Sequence, residues 1–211
     1  MKSLIVGCSI THGSELVSDT YHPLNVEHTY ANKLSMYLGF EPNNIAIPGN
    51  SNESIFHEAV KNLNGHELLI VGWTSLFRET WANKDRSYYF NPNWGCAVDD
   101  LTMQDVFVET KKQVKFVSSD KNMLPELQEY HRLLTLYKFN NELLTQRVIH
   151  YRKCLKTLCK HSNIRYIDLC LLDNIFNDNI FYDVNVNCGG YHPDKKQHQD
   201  IMNLLLEFYK I

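Results

Sequence analysis

Apolar residues fall along this chain in short blocks separated by longer segments of helical spacing. Ser3 to Val6 is an apolar run that stops at Gly7, and Leu68 to Val71 is a second that stops at Gly72. Blocks of this length closed by glycine predict buried strands. Asn44 to Ile47, closed by Pro48-Gly49, and Ile164 to Leu169 predict two more. Between them Val26, Tyr30, Leu34 and Tyr37 recur at helical spacing up to Gly39, and Ile55, Phe56, Ala59 and Val60 share one helical face behind the capping residues Asn50-Ser51-Asn52. Strand, helix, strand, helix, strand without hairpin signals predicts a parallel sheet with helices on both faces, a three-layer α/β/α architecture.

From about Trp73 to Met123 this rhythm breaks into an aromatic-rich stretch with Trp73, Phe77, Trp81, Tyr88, Tyr89, Phe90 and Trp94. A segment this long without periodicity reads as a lid or insertion, here about residues 76–123, or as aromatics that pack an insertion onto the domain. Helical spacing resumes from Leu124 to Leu158, as one helix or as two joined near Asn140-Asn141. The tail from Asp194, with Ile201, Leu204, Leu205 and Phe208, predicts a closing helix. No repeat or low-complexity tract interrupts the pattern.

A chain of 211 residues with 44% hydrophobic content fits one domain spanning 1–211. A net charge of -3, from 21 basic and 24 acidic residues, supplies no basic field for a phosphate backbone, so nucleic acid is not an expected partner. The first apolar run is too short for a secretory signal, and no stretch is long enough for a membrane span. The expectation is therefore a soluble, cytoplasmic protein with no membrane partner. Its oligomeric state is open, a homo-oligomer included. The six cysteines, Cys8, Cys96, Cys154, Cys159, Cys170 and Cys188, form no framework and are expected to be reduced. Cys154, Cys159 and His161 could be read as metal ligands, but they lack a CxxC partner and lie at the end of an amphipathic helix, where burial of free thiols is the commoner reading.

Parallel α/β sheets collect ligands at the carboxyl ends of their strands. Three such loops begin Gly7-Cys8-Ser9, Pro48-Gly49-Asn50 and Gly72-Trp73-Thr74. Ser9 follows a strand-ending glycine, a place from which a hydroxyl is exposed and a following helix aims N–H groups at an oxyanion. A serine nucleophile needs a base. Among ten histidines, His192 is preferred because Gly189-Gly190-Tyr191-His192-Pro193 is a tight loop just before the last helix, with His12 and His198 as alternatives.

These segments carry a resemblance. Leu4-Ile5-Val6-Gly7-Cys8-Ser9-Ile10-Thr11-His12-Gly13 resembles the first block of SGNH/GDSL hydrolases, and Ile47-Pro48-Gly49-Asn50-Ser51-Asn52 resembles the second. Leu69-Ile70-Val71-Gly72-Trp73-Thr74-Ser75 stands in the place of the third, and Gly190-Tyr191-His192-Pro193 resembles the end of the last. The four come in the family's order, and the overall pattern also resembles uncharacterised SGNH-like proteins of bacteriophages that carry G-W-[TS]-S in the third block. Residues 76 to about 180 carry none of the likeness. Cys8 stands for the family's aspartate, Thr74 for its oxyanion-donating asparagine, and Gly189 for the acid three residues before the histidine.

The resemblance implies a flavodoxin-like SGNH fold and hydrolysis of a small acyl ester, an acetylated sugar among them, by a Ser9–His192 dyad that needs no cofactor or metal. It implies an oxyanion hole from Ser9, Gly49 and Thr74, and a substrate pocket that takes in Trp73, Ser75 and Asn52. His192 would be oriented by a backbone carbonyl or by a carboxylate, Asp183 or Asp194, although Asp194 equally suits the N-cap of the last helix. The alternative is a catalytically weakened descendant that binds a ligand or protein through the same pocket or the aromatic insertion.

Overall fold

The computed structural model describes residues 1–17, 22–76, 78–82, 87–90, 141–171 and 192–211. Its centre is a four-stranded, wholly parallel sheet in the order β2-β1-β3-β6. The strands are β1 (Lys2–Val6), β2 (Glu41–Asn44), β3 (Leu68–Trp73) and β6 (Arg165–Cys170). β3 lies in the interior of the sheet and is buried along its whole length, as a strand covered on both faces must be.

The side-chain period of two divides β1, β3 and β6 between two cores. Ile5, Leu68, Ile70, Ile167 and Leu169 pack with α2 (Tyr30–Tyr37) and with the closing helix α5 (Lys195–Tyr209). Leu4, Val6, Leu69, Val71 and Trp73 pack on the other face with α3 (Asn52–Asn62) and α4 (Asn141–His161). The result is the three-layer α/β/α arrangement. Each fully buried Leu or Ile contributes roughly 1.5–3 kcal/mol of transfer free energy, so these two layers dominate the favourable side of folding.

Several boundaries differ from the sequence expectation for physical reasons. The second strand is β2, Glu41–Asn44, rather than Asn44 to Ile47. It is an edge strand and needs no apolar run, and Ile45 and Ile47 still donate to Ile5 O and Gly7 O at 2.9 and 3.1 Å. Val26 belongs to a 3-10 helix, Pro23–His28, ahead of α2. Tyr37, Val60 and Phe208 share a helical period with core residues yet are exposed. After Gly7 the chain enters a one-turn helix, α1 (Ser9–His12), closed by Gly13 at φ 79°.

Within the aromatic-rich stretch, β4 (Glu79–Ala82) and β5 (Ser87–Phe90) pair as a separate antiparallel ribbon. The rest of the stretch expected to form an insertion, residues 77, 83–86 and 91–123, lies outside the described residues. Among the described residues no helix is long and apolar enough to cross a membrane. No group of three or more His, Cys, Asp or Glu side chains among them is placed to hold a metal. Cys8, Cys154, Cys159 and Cys170 are free thiols, and burial pushes Cys159 up to about 11.

Candidate functional site

β1 ends at Val6, and Gly7-Cys8 turn the chain so that Ser9 opens α1 at the carboxyl edge of the sheet. As the first residue of the helix, Ser9 has an N–H with no acceptor inside it. The seat of α1 is fixed by buried polar contacts. The Thr11 hydroxyl lies 3.0 Å from Tyr30 OH, and Thr11 O accepts from Asn44 Nδ2 at 3.0 Å. Asn44 Nδ2 also donates to Asn32 Oδ1 at 2.8 Å. Burial raises the Tyr30 phenol well above its ordinary range, which keeps it a neutral hydroxyl in this network.

The two neighbouring loops are stitched to the same edge. Gly49 adopts the left-handed conformation at φ 80°, and Asn50 N donates to Ile47 O at 3.1 Å. The Asn50 amide reaches Gly7 O at 3.5 Å. Asn52 holds the third loop: its Oδ1 accepts from Thr74 N at 2.9 Å, and its Nδ2 donates to Thr74 O at 2.9 Å and Ser75 O at 3.2 Å. The Thr74 hydroxyl is buried and has no hydrogen-bond partner among the described residues. A buried donor without an acceptor costs free energy unless a ligand supplies one.

His192 lies just ahead of α5, and its Nδ1 is 3.1 Å from Glu15 Oε2. Glu15 sits six positions beyond Ser9, in the loop after α1, and has φ 66°. Asp194, one of the two carboxylates weighed for orienting His192, is otherwise engaged. Its Oδ1 accepts from Gln197 N at 2.8 Å, while Asp194 N donates to Gln197 Oε1 at 2.7 Å, a reciprocal capping box that starts α5. Asp183 lies outside the described residues. No hydrogen bond joins Ser9 Oγ to His192 among the described residues.

Other candidate residues have structural roles. His198 is fully buried, and its Nδ1 accepts the Tyr30 N–H at 3.1 Å, which removes it as a base facing the loops. Burial also lowers the pKa of His12 at the end of α1. Trp73, expected to line the substrate pocket, is fully buried in the α3/α4 core, and its indole N–H donates to Asp168 Oδ2 at 3.1 Å. Asn52 is buried as the brace of the Thr74 loop, and Ser75 beside it is half-buried. Glu15 was not visible as a candidate, because its contact with His192 joins positions 177 apart and belongs to no local pattern.

No protein-family model and no curated protein matches the chain. Among solved structures it is similar to an acetyl xylan esterase from the rumen bacterium Butyrivibrio proteoclasticus, with 12% identity, 98% of this chain and 62% of that one covered, and a TM-score of 0.43. It is also similar to a family two carbohydrate esterase from Clostridium thermocellum, with 13% identity, coverage of 99% and 64%, and a TM-score of 0.41. A lipase/acylhydrolase from Enterococcus faecalis aligns with 12% identity, coverage of 98% and 94%, and a TM-score of 0.37. The chain spans a little under two thirds of the length of the two carbohydrate esterases.

Proposed function

We propose that this protein is a serine-dependent hydrolase of small acyl esters, with a site of SGNH type. The observation that carries the reading is the convergence on one sheet edge of Ser9 at the start of α1, the Gly49 turn and the buried Thr74 hydroxyl, which has no partner among the described residues. Ser9 Oγ attacks the ester carbonyl, and His192 Nε2 takes its proton and returns it to the leaving alkoxide. The N–H groups of Ser9 and Gly49 and the Thr74 hydroxyl hold the oxyanion, where a single donor is worth roughly 2.7–4 kcal/mol. Water then releases the acyl group by the reverse proton path. An acetylated sugar is the substrate that the motif resemblance favours, and no metal or cofactor takes part in this scheme.

One observation favours the second reading, a binding site without turnover. Ser9 and His192 are not hydrogen-bonded, although such bonds often tighten only when substrate is present. Hydrolysis of p-nitrophenyl acetate by the wild type and by Ser9→Ala separates the two. The hydrolase reading expects kcat to fall by a factor of about 10³ or more. Equal rates would overturn it in favour of binding.

A further inference from the structure

The geometry points to Glu15 as the positioning carboxylate of His192, so that acid and nucleophile are carried by the same short segment of chain. This inference rests on the hydrolase reading of Ser9 and His192. An imidazole that accepts a proton at Nε2 must carry its own proton at Nδ1, and the partner of Nδ1 sets that tautomer. Here that partner is Glu15 Oε2 at 3.1 Å. An ionised carboxylate only accepts hydrogen bonds, so it holds the proton on Nδ1 and leaves the Nε2 lone pair free.

The segment between nucleophile and carboxylate is tightly folded. Ser14 N donates to Ser9 O at 2.9 Å and Gly13 N to Ile10 O at 3.1 Å, so the loop folds back on α1 before Glu15 turns outward. Glu15 takes the left-handed backbone at φ 66°, a conformation that disfavours any residue with a Cβ other than Asn or Asp. Its side chain is 59% exposed, against 19% for His192. A polar contact so open to solvent contributes little to stability. A strained backbone and a stability-neutral contact together point to a use in orienting the ring rather than in holding the fold.

The test uses the full chain, with Glu15→Gly and Glu15→Gln. Glycine removes the carboxylate and also relieves the left-handed backbone. For Glu15→Gly we expect kcat on p-nitrophenyl acetate to fall roughly tenfold or more, short of the ~10⁴ lost with a buried triad carboxylate. KM should stay within about twofold, the sign of an interaction used in the transition state. The melting temperature should be no lower than that of the wild type. Glu15→Gln should fall in kcat likewise. Nitrogen-15 spectra of the neutral His192 ring should show one tautomer, protonated at Nδ1, in the wild type and a mixture in Glu15→Gly.

Unchanged tautomer and kcat in Glu15→Gly overturn the proposal while leaving Ser9 and the hydrolase reading intact. A lower melting temperature with unchanged kcat overturns it in favour of a structural role. If neither wild type nor variants turn over ester but the tautomer still shifts, Glu15 stands as the positioning group and the hydrolase reading fails.

Discussion

His192 and His198 lie six residues apart, and both qualify as candidate bases in the sequence, yet folding gives them opposite chemistry. His192 precedes α5 and meets a carboxylate, whereas His198, one turn inside the helix, is fully buried and stacked against Tyr30 with ring centroids 5.9 Å apart. Because His198 Nδ1 accepts the Tyr30 N–H, its proton sits on Nε2, which finds no partner among the described residues. Protonating the ring would place a desolvated cation there and abolish that hydrogen bond. Burial, reinforced by the nearby Lys33 ammonium and His192 and opposed by Asp194, lowers its pKa from 6.5 to about 3. The unfolded chain therefore takes up this proton near pH 6.5 and the folded chain only near 3, so stability falls as pH drops through that window and is unaffected above it. The cost accumulates to about 4–5 kcal/mol at the acid end. Urea denaturation of the wild type between pH 7 and 4 should show this decline, and His198→Gln should show a shallower one. Parallel pH profiles would refute the assignment. Neither this burial nor the Glu15 contact was legible in the sequence, because histidine and glutamate patterns carry no information on which side chain meets which across the fold.

At the scale of elements, the sequence was most informative where a glycine closes an apolar run. Gly7 and Gly72 end their runs because α1 lies against both, and a Cβ on either would strike the Thr11 side chain. At Gly72 the added carbon would also fall 2.7 Å from Tyr30 OH and 2.9 Å from Leu171 Cδ1. Thr11, Tyr30 and Leu171 are all fully buried, so none of these atoms has open space into which to step aside. Gly72→Ala is expected to cost roughly 1–3 kcal/mol by overpacking. On the proposed hydrolase reading, displacing α1 should also lower kcat on p-nitrophenyl acetate more than the stability loss alone accounts for. A shift in the urea midpoint checks the first, and kcat measured well below that midpoint checks the second. Gly7 follows the end of β1, whereas β3 continues through Gly72 to Trp73, so only the first of these glycines is a strand end, and the extent of α1 was not legible. A four-residue helix offers no periodicity to detect, and its stability comes from these tertiary contacts rather than from propensity.

For the molecule as a whole, the parallel sheet and both helical layers were legible because β1, β3 and β6 alternate with amphipathic helices. What unites the α4 and α5 layers at the edge of β6 was not, for it hangs on one charge inside an apparently apolar strand. Asp168 is fully buried on β6, and its Oδ2 takes hydrogen bonds from Arg152 Nε of α4 at 2.6 Å, Tyr166 OH at 2.9 Å and Trp73 Nε1 of β3 at 3.1 Å. Tyr209 of α5 reaches Asp168 Oδ1 at 3.0 Å and accepts its backbone N–H at 3.1 Å. Burial, then the neighbouring carboxylate, pushes both tyrosines above their ordinary range, so they remain donors. A carboxylate so fully satisfied is stable where it is, and its loss takes from the buried Arg152 guanidinium the carboxylate it meets at 2.6 Å. Asp168→Asn should therefore destabilise the protein by about 3–5 kcal/mol. Replacing both members, Asp168→Asn with Arg152→Met, should cost less than the sum of the two single changes, since both remove the same 2.6 Å contact. A denaturation cycle on the four proteins measures the coupling, and additive losses would show that Asp168 and Arg152 act independently. Because the carboxylate joins α4 and α5 through β3 and β6, Asp168→Asn should also lower the unfolding cooperativity, seen as a smaller denaturant slope, which a purely local defect would leave unchanged.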